Sequence, residues 1–200
     1  LTLALLLFIA FIAIERRVVR PMLDLSLFRQ LRFVGVQVLG ASPAFFFVIL
    51  IVLLPGRFIG VDGLSAFSAG KMMIALAAPL LLVPFLAAWL SHWLSAGGLS
   101  AVGLLMVALG LAWLGEIVTN GASPALIAPL ALIGIGIGLP WGLMDGMAVS
   151  VVEKERAGMA TGIFNCVRVS ADGIAIALIG ALLALVIQNE LTHLLPNVPL

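Results

Sequence analysis

The sequence predicts an all-α membrane protein with five complete transmembrane helices behind a partial first one. Composition is the first reason. Hydrophobic residues fill 64% of the 200 positions and charged residues 10%, more apolar surface than a soluble core of this size can hide, so lipid must solvate much of it. The second is run length, since the apolar stretches reach the roughly 20 residues a helix needs to cross a hydrocarbon core. The third is where the cations lie: seven of the ten Lys and Arg fall in loops on one predicted side, the asymmetry that marks a cytoplasmic face.

Residues 1–14 are apolar but too short to span. They start without a basic residue and run into Glu15-Arg16-Arg17 with no small-residue cleavage site, so they read as the end of a truncated span and not as a signal peptide. The chain is then expected to be a piece of something longer. Residues 15–32 interleave Arg16, Arg17, Arg20, Arg29 and Arg32 with Pro21, Leu23, Leu25, Leu27 and Phe28, a basic, partly amphipathic connector on the cytoplasmic surface.

Residues 33–54 make the first complete span, kinked at Pro43 and stopped by Pro55-Gly56-Arg57 before an outer turn through Asp62-Gly63. Residues 66–90 return inward through Pro79 and Pro84, which membrane helices tolerate when neighbours or local distortion satisfy the freed carbonyls. An inner turn at 91–98 leads to a span at 99–117 and then to turn formers at 120–124. Residues 125–152 come back in, 153–156 turn, and 157–187 go out. The tail, 188–200, is an outer-side segment with the final span missing. The five-helix bundle thus occupies 33–187 of a multi-pass protein of the plasma (inner) membrane, with loops 15–32, 91–98 and 153–156 cytoplasmic.

Several chemistries find no support. The one cysteine, Cys166, excludes an intramolecular disulfide and a cysteine-based zinc site. His92 and His193 stand without partners at metal-ligand spacing. There is no phosphate loop, no Gly-x-Ser-x-Gly and no His-Glu-x-x-His; Gly134-Ile-Gly136-Ile-Gly138 is no dinucleotide loop, because no strand precedes it. Neither an enzyme, a cofactor, a metal nor a nucleic-acid partner is expected.

Small residues instead point to packing. Gly134, Gly138, Gly142 and Gly146 recur every four residues, a ridge where a neighbouring backbone can come close, and Gly158 and Gly162 repeat the spacing on the next helix. Pro140 interrupts the first of these helices and is read as a kink and hinge.

Three ionisable residues lie within these last two spans: Asp145, Arg168 and Asp172. A charge in the hydrocarbon is costly unless it faces protein or water, so such a group is by default a hypothesis about a transport or proton pathway. At 100° per residue, Thr161, Asn165, Arg168 and Asp172 share one sector of roughly 60°, a polar stripe suited to the wall of a water-filled cavity. Asp145 and Asn165 each lie ten residues from Glu155, about 15 Å along straight helices, which puts Asp145 level with Asn165 and within reach of Arg168. Arg168 and Asp172 are also spaced for a direct i, i+4 pair. A neutralised pair that merely locks helices together and a proton-responsive cluster are both compatible with this spacing.

Taken together, these stretches resemble a family. Glu15-Arg16-Arg17 with Arg20-Pro21-Met22-Leu23-Asp24-Leu25-Ser26-Leu27-Phe28-Arg29 is similar to the basic connector of the fourteen-span drug:proton antiporters of the major facilitator superfamily. The glycine-rich run 134–140, the turn Glu155-Arg156-Ala157-Gly158 and the Asn165-x-x-Arg168 helix resemble late spans of the same branch. The resemblance implies two helical bundles rocking about a central site, with proton influx driving efflux of amphipathic small molecules. The chain would supply part of the C-terminal bundle and partner with the remaining half of the transporter, the lipid bilayer, protons and substrate. Asn165 and Arg168 match the family pattern. Asp172 does not, and residues 88–93 lack the acid and arginine of a gating motif found in relatives. The alternative is a non-transporting membrane scaffold or assembly subunit in which the glycine ridges only dock partners.

Overall fold

A computed structural model describes residues 25–119, 121 and 124–194, with Leu6 and Ala10. The expectations for 1–14, for most of the connector and for the end of the tail therefore lie outside the described residues. Among the described residues, five helices are long and apolar enough to cross a membrane: α1 (Leu31–Gly60), α2 (Ala66–Leu90), α3 (Ala96–Val118), α4 (Pro124–Ser150) and α5 (Ala157–Leu194). No strand occurs among the described residues, and the chain is an all-α membrane protein. The α1–α2 and α3–α4 turns lie at one end of the bundle, the Asp62 end. The α2–α3 and α4–α5 turns lie at the other, the Glu153 end.

Side-chain caps start two of the helices. Ser65 accepts from the Ser68 amide ahead of α2, and Ser95 accepts from the Gly98 amide ahead of α3, each satisfying an amide that the first turn leaves without a helical partner. Prolines then shape the interiors. In α1, Pro43 leaves the Leu39 carbonyl without its usual N–H donor, and the Ser42 hydroxyl donates to that oxygen at 2.7 Å. A single π-helical turn follows at Ala44–Val48. The helix continues through Pro55 to Gly60 instead of ending at residue 54, because a lost hydrogen bond in an apolar run is tolerable where local adjustment absorbs it. Arg57 is consequently a helical residue and not a loop residue.

α4 breaks directly after Pro140. Its long piece ends at Trp141, and Gly142 and Leu143 turn before the short helix Met144–Ser150. The turn keeps two bonds, from the Gly142 amide to the Gly138 carbonyl and from the Leu143 amide to the Pro140 carbonyl. At the far end, α5 runs past residue 187 to Leu194, so the described part of the expected tail is helical.

Glycines let α4 sit at the centre. An alanine methyl at Gly138 would come within 2.7 Å of Val83 Cβ, and one at Gly142 within 2.6 Å of the Pro84 carbonyl oxygen. At Gly134 it would land on the Leu76 carbonyl. That face of α4 therefore lies directly on α2. On another face, a methyl at Gly103 of α3 would be 2.5 Å from the Gly136 carbonyl oxygen, the acceptor that Pro140 deprives of its donor. The ridge ends there, for a methyl at Gly146, Gly158 or Gly162 would meet nothing within 4 Å.

Several groups of buried side chains hold the bundle. Near the Asp62 end and the middle, Phe47, Leu54, Phe58, Leu76, Val107, Leu130 and Ile133 join α1, α2, α3 and α4. Toward the Glu153 end, Val36, Met144, Ala148 and Phe164 join α1, the short piece of α4 and α5. Leu27, in a 3₁₀ turn at Leu25–Arg29, is buried with Phe33, Ala160 and Ile163, which ties the described end of the connector to α5.

Candidate functional site

The break in α4 decides where Asp145 goes. The turn at Gly142–Leu143 lets the chain restart as a separate short helix, with Asp145 in its first turn, where a carboxylate suits the positive end of the helix dipole. This short helix packs against α5 through Met144, Ala148 and Phe164. That contact brings Arg168 Nη1 to 3.8 Å from Asp145 Oδ1. The Asp145 side chain remains 66% exposed and that of Arg168 31%, so the pair lies on an open face of the five-helix body. Arg168 also lies over the Phe164 ring, its Cζ 5.8 Å from the ring centroid, within the range of a cation–π attraction.

The remaining candidates fall on the same stripe with different roles. Thr161 Oγ1 donates to the Ala157 carbonyl at 3.0 Å and Asn165 Nδ2 donates to the Thr161 carbonyl at 3.1 Å. Both side chains are thus partly occupied by the preceding turn of their own helix. Asp172 lies one turn beyond Arg168 and is half-buried. No ion pair or hydrogen bond to its side chain is found among the described residues, so Arg168 pairs with the acid of the neighbouring helix and not with the one at i+4. Three candidate groups are therefore close along one stripe, and one of the two acids is left without the arginine.

Gly134, Gly138 and Gly142 form the central α2–α4 contact and Pro140 lies against Gly103 of α3, away from the stripe. Gly146, Gly158 and Gly162 leave open surface beside it. A cavity of about 750 Å³ lies elsewhere, between α1, α3 and the short piece of α4. It is lined by Gly35, Leu39, Ser42, Ser100, Leu104 and Met147 among others, and by none of the five polar candidates. Among the described residues no three His, Cys, Asp or Glu converge as metal ligands.

Two features were weakly marked in the sequence. Gln37 is 4% exposed, and neither its Oε1 nor its Nε2 has a hydrogen-bond partner. A single polar residue in an apolar run signals a contact without saying where it points. The second is Arg57 with Asp62: Arg57 Nε is 3.9 Å from Asp62 Oδ2, and the guanidinium also donates to the Val118 carbonyl at the end of α3. Both appeared as turn charges, because their meeting depends on α1 continuing past Pro55.

The fold and the stripe define a multi-pass membrane protein that carries an arginine–aspartate pair and a second, unpaired acid on one open helical face. The chain is 33% identical over 176 residues to Multidrug resistance protein Stp of Mycobacterium tuberculosis (strains CDC 1551 / Oshkosh and ATCC 25618 / H37Rv), a match covering 87% of this chain and 32% of the relative. It is 31% identical over 84 residues to the Probable actinorhodin transporter of Streptomyces coelicolor, covering 40% of this chain and 14% of that one. Similarity to Multidrug resistance protein 3 of Bacillus subtilis is 22% over 184 residues, covering 92% and 36%. The chain thus spans about a third of the length of the first relatives it matches. No protein-family model matches it.

Proposed function

We propose that the chain is part of a secondary active transporter of the major facilitator superfamily, of the fourteen-span drug:proton antiporter branch. In this reading it exports amphipathic small molecules across the plasma (inner) membrane in exchange for protons. The relatives' names, two multidrug resistance proteins and a probable actinorhodin transporter, support efflux. The five helices fit part of the C-terminal bundle, and loops 15–32, 91–98 and 153–156 face the cytoplasm, the first and last of them carrying the Lys and Arg.

The observation that carries the coupling is the charge count on the α5 stripe. Asp145 holds the ion pair with Arg168, and Asp172 lies one turn away with no partner among the described residues, so the three groups carry one negative charge with both acids ionised and none with one proton aboard. A neutral cluster is the cheaper one to carry through the low-dielectric middle of a membrane. Because the stripe is open on this body, it must face water or protein in the membrane, and we assign that role to the remaining half of the transporter across a water-filled cavity. Thr161 and Asn165 extend the wall of that cavity, and the break at Pro140 is the hinge that lets the short helix bearing Asp145 tilt apart from the rest of α4.

The test is efflux from cells or everted vesicles containing the intact transporter, with the proton gradient present or collapsed. Asp145→Asn and Asp172→Asn should each cut gradient-driven efflux by about tenfold or more, the size of effect a lost proton carrier produces. Efflux that stays equally fast and equally sensitive to an uncoupler in both variants would sink the proposal.

A further inference from the structure

Arg168 has two acids within its span of choice, and the structure shows only one of them taken. We infer that Phe164 is a positioning residue that selects Asp145 over Asp172 as the partner of Arg168. The inference rests on the functional reading above for its importance, but its geometry stands apart from it.

The ring is held from the far side. Phe164 is buried, 1% exposed, among Val36, Met144 and Ala148. Its edge fills the notch at Gly40 of α1, where even an alanine methyl would fall inside the ring's van der Waals envelope. Gly40 lies three residues before Pro43, on the stretch of α1 whose Leu39 carbonyl is closed off by Ser42. The ring therefore cannot slide toward α1.

Arg168 is four residues on from Phe164, and side chains on a helix lean toward its N-terminus. The guanidinium accordingly settles over the ring, and from that seat it points to Asp145 on the neighbouring short helix. Pairing with Asp172 would require it to leave the ring and lean the other way. The order arginine-then-acid at i, i+4 is also the weaker of the two helical orders. Ring and notch together thus leave Asp172 as the acid without an arginine.

A labelling experiment in the intact protein reads this directly. In a Cys166→Ser background, Asp172→Cys and Asp145→Cys are made separately, and the maleimide rate at each thiol is measured in membranes. A guanidinium nearby raises the thiolate fraction and hence the rate. Replacing Phe164 by Leu should speed labelling at position 172 about threefold or more and slow it at position 145, as loss of a cation–π seat of this class allows. Gly40→Ala keeps the phenyl group but drives it out of the notch, and should shift both rates in the same senses. Rates that are unchanged at both positions, or that rise at both as simple loosening would produce, overturn the inference. The labelling does not depend on transport. Shifted rates beside unaffected proton coupling in the Asp145 and Asp172 variants would refute the functional reading alone, and the converse would refute this one alone.

Discussion

Two arginine–aspartate pairs among the described residues stand at different depths of this bundle, one enclosed and one open. Arg57 and Asp62 meet at the Asp62 end with facing atoms shut off from solvent. The same guanidinium holds the Val118 carbonyl, and that carbonyl also accepts from the Gly121 amide at 3.2 Å. One side chain thereby fastens the end of α1, the α1–α2 turn and the end of α3. Arg168 and Asp145 meet at a similar distance but on an open face, with a second acid one turn away and an aromatic seat beneath. A pair enclosed by its own fold serves as a fastener; a pair open on one side, with a competing partner, can be rearranged.

The largest effect should come from dismantling the open pair. The double change Asp145→Asn with Asp172→Asn should abolish the response of efflux to the proton gradient. Unfolding in detergent should move by no more than about 1 kcal/mol, because exposed pairs contribute little stability. A large fall in stability would show that the open pair is also a fastener.

Next comes Arg57→Ala, which strands a nearly enclosed carboxylate and one carbonyl. We expect a loss of about 2 kcal/mol, below the full cost of breaking a buried pair since Arg57 is about one-third exposed. Thermal unfolding checks this, with transport per folded molecule changing less than twofold. Arg57→Lys should lose about half as much, because a point charge cannot address carboxylate and carbonyl in the fixed fork a guanidinium offers.

The glycines give a finer contrast. Gly138→Ala should cost about 1–3 kcal/mol through overpacking against Val83. Gly162→Ala, facing open space, should fall within about 1 kcal/mol of neutral, with gain favoured by helix propensity. Unfolding midpoints of the two variants side by side decide whether spacing or actual neighbours make a glycine necessary.

That last pair also shows what one sequence could reveal. Five spans were legible because run length is a local property, but α3 starts at Ala96 instead of residue 99 because the Ser95 side chain caps it there. The continuation of α1 through Pro55 was not legible, since whether a proline stops a membrane helix depends on what surrounds it. Spacing of four marked Gly134, Gly138 and Gly142 correctly as one face but could not say that α2 would cover it, nor that Gly146 would be left bare. At the candidate site, counting from Glu155 placed Asp145 level with Asn165 and within reach of Arg168. The choice between the two acids was hidden, because it turns on a ring seated against Gly40, more than 120 residues away in the sequence.

The π turn at Ala44–Val48 acts on α1 as a phase slip. The wide turn takes up an extra residue midway, so a helical wheel drawn straight through it assigns the wrong neighbours to everything beyond Val48. Before the slip, Phe33, Val36 and Gly40 look toward α5; after it, Leu54 and Phe58 look into the packing with α2 and α4. A single rod thereby serves two clients that sit at different bearings around it. Removing one residue from the wide turn would restore even winding and force the rod to abandon one of them.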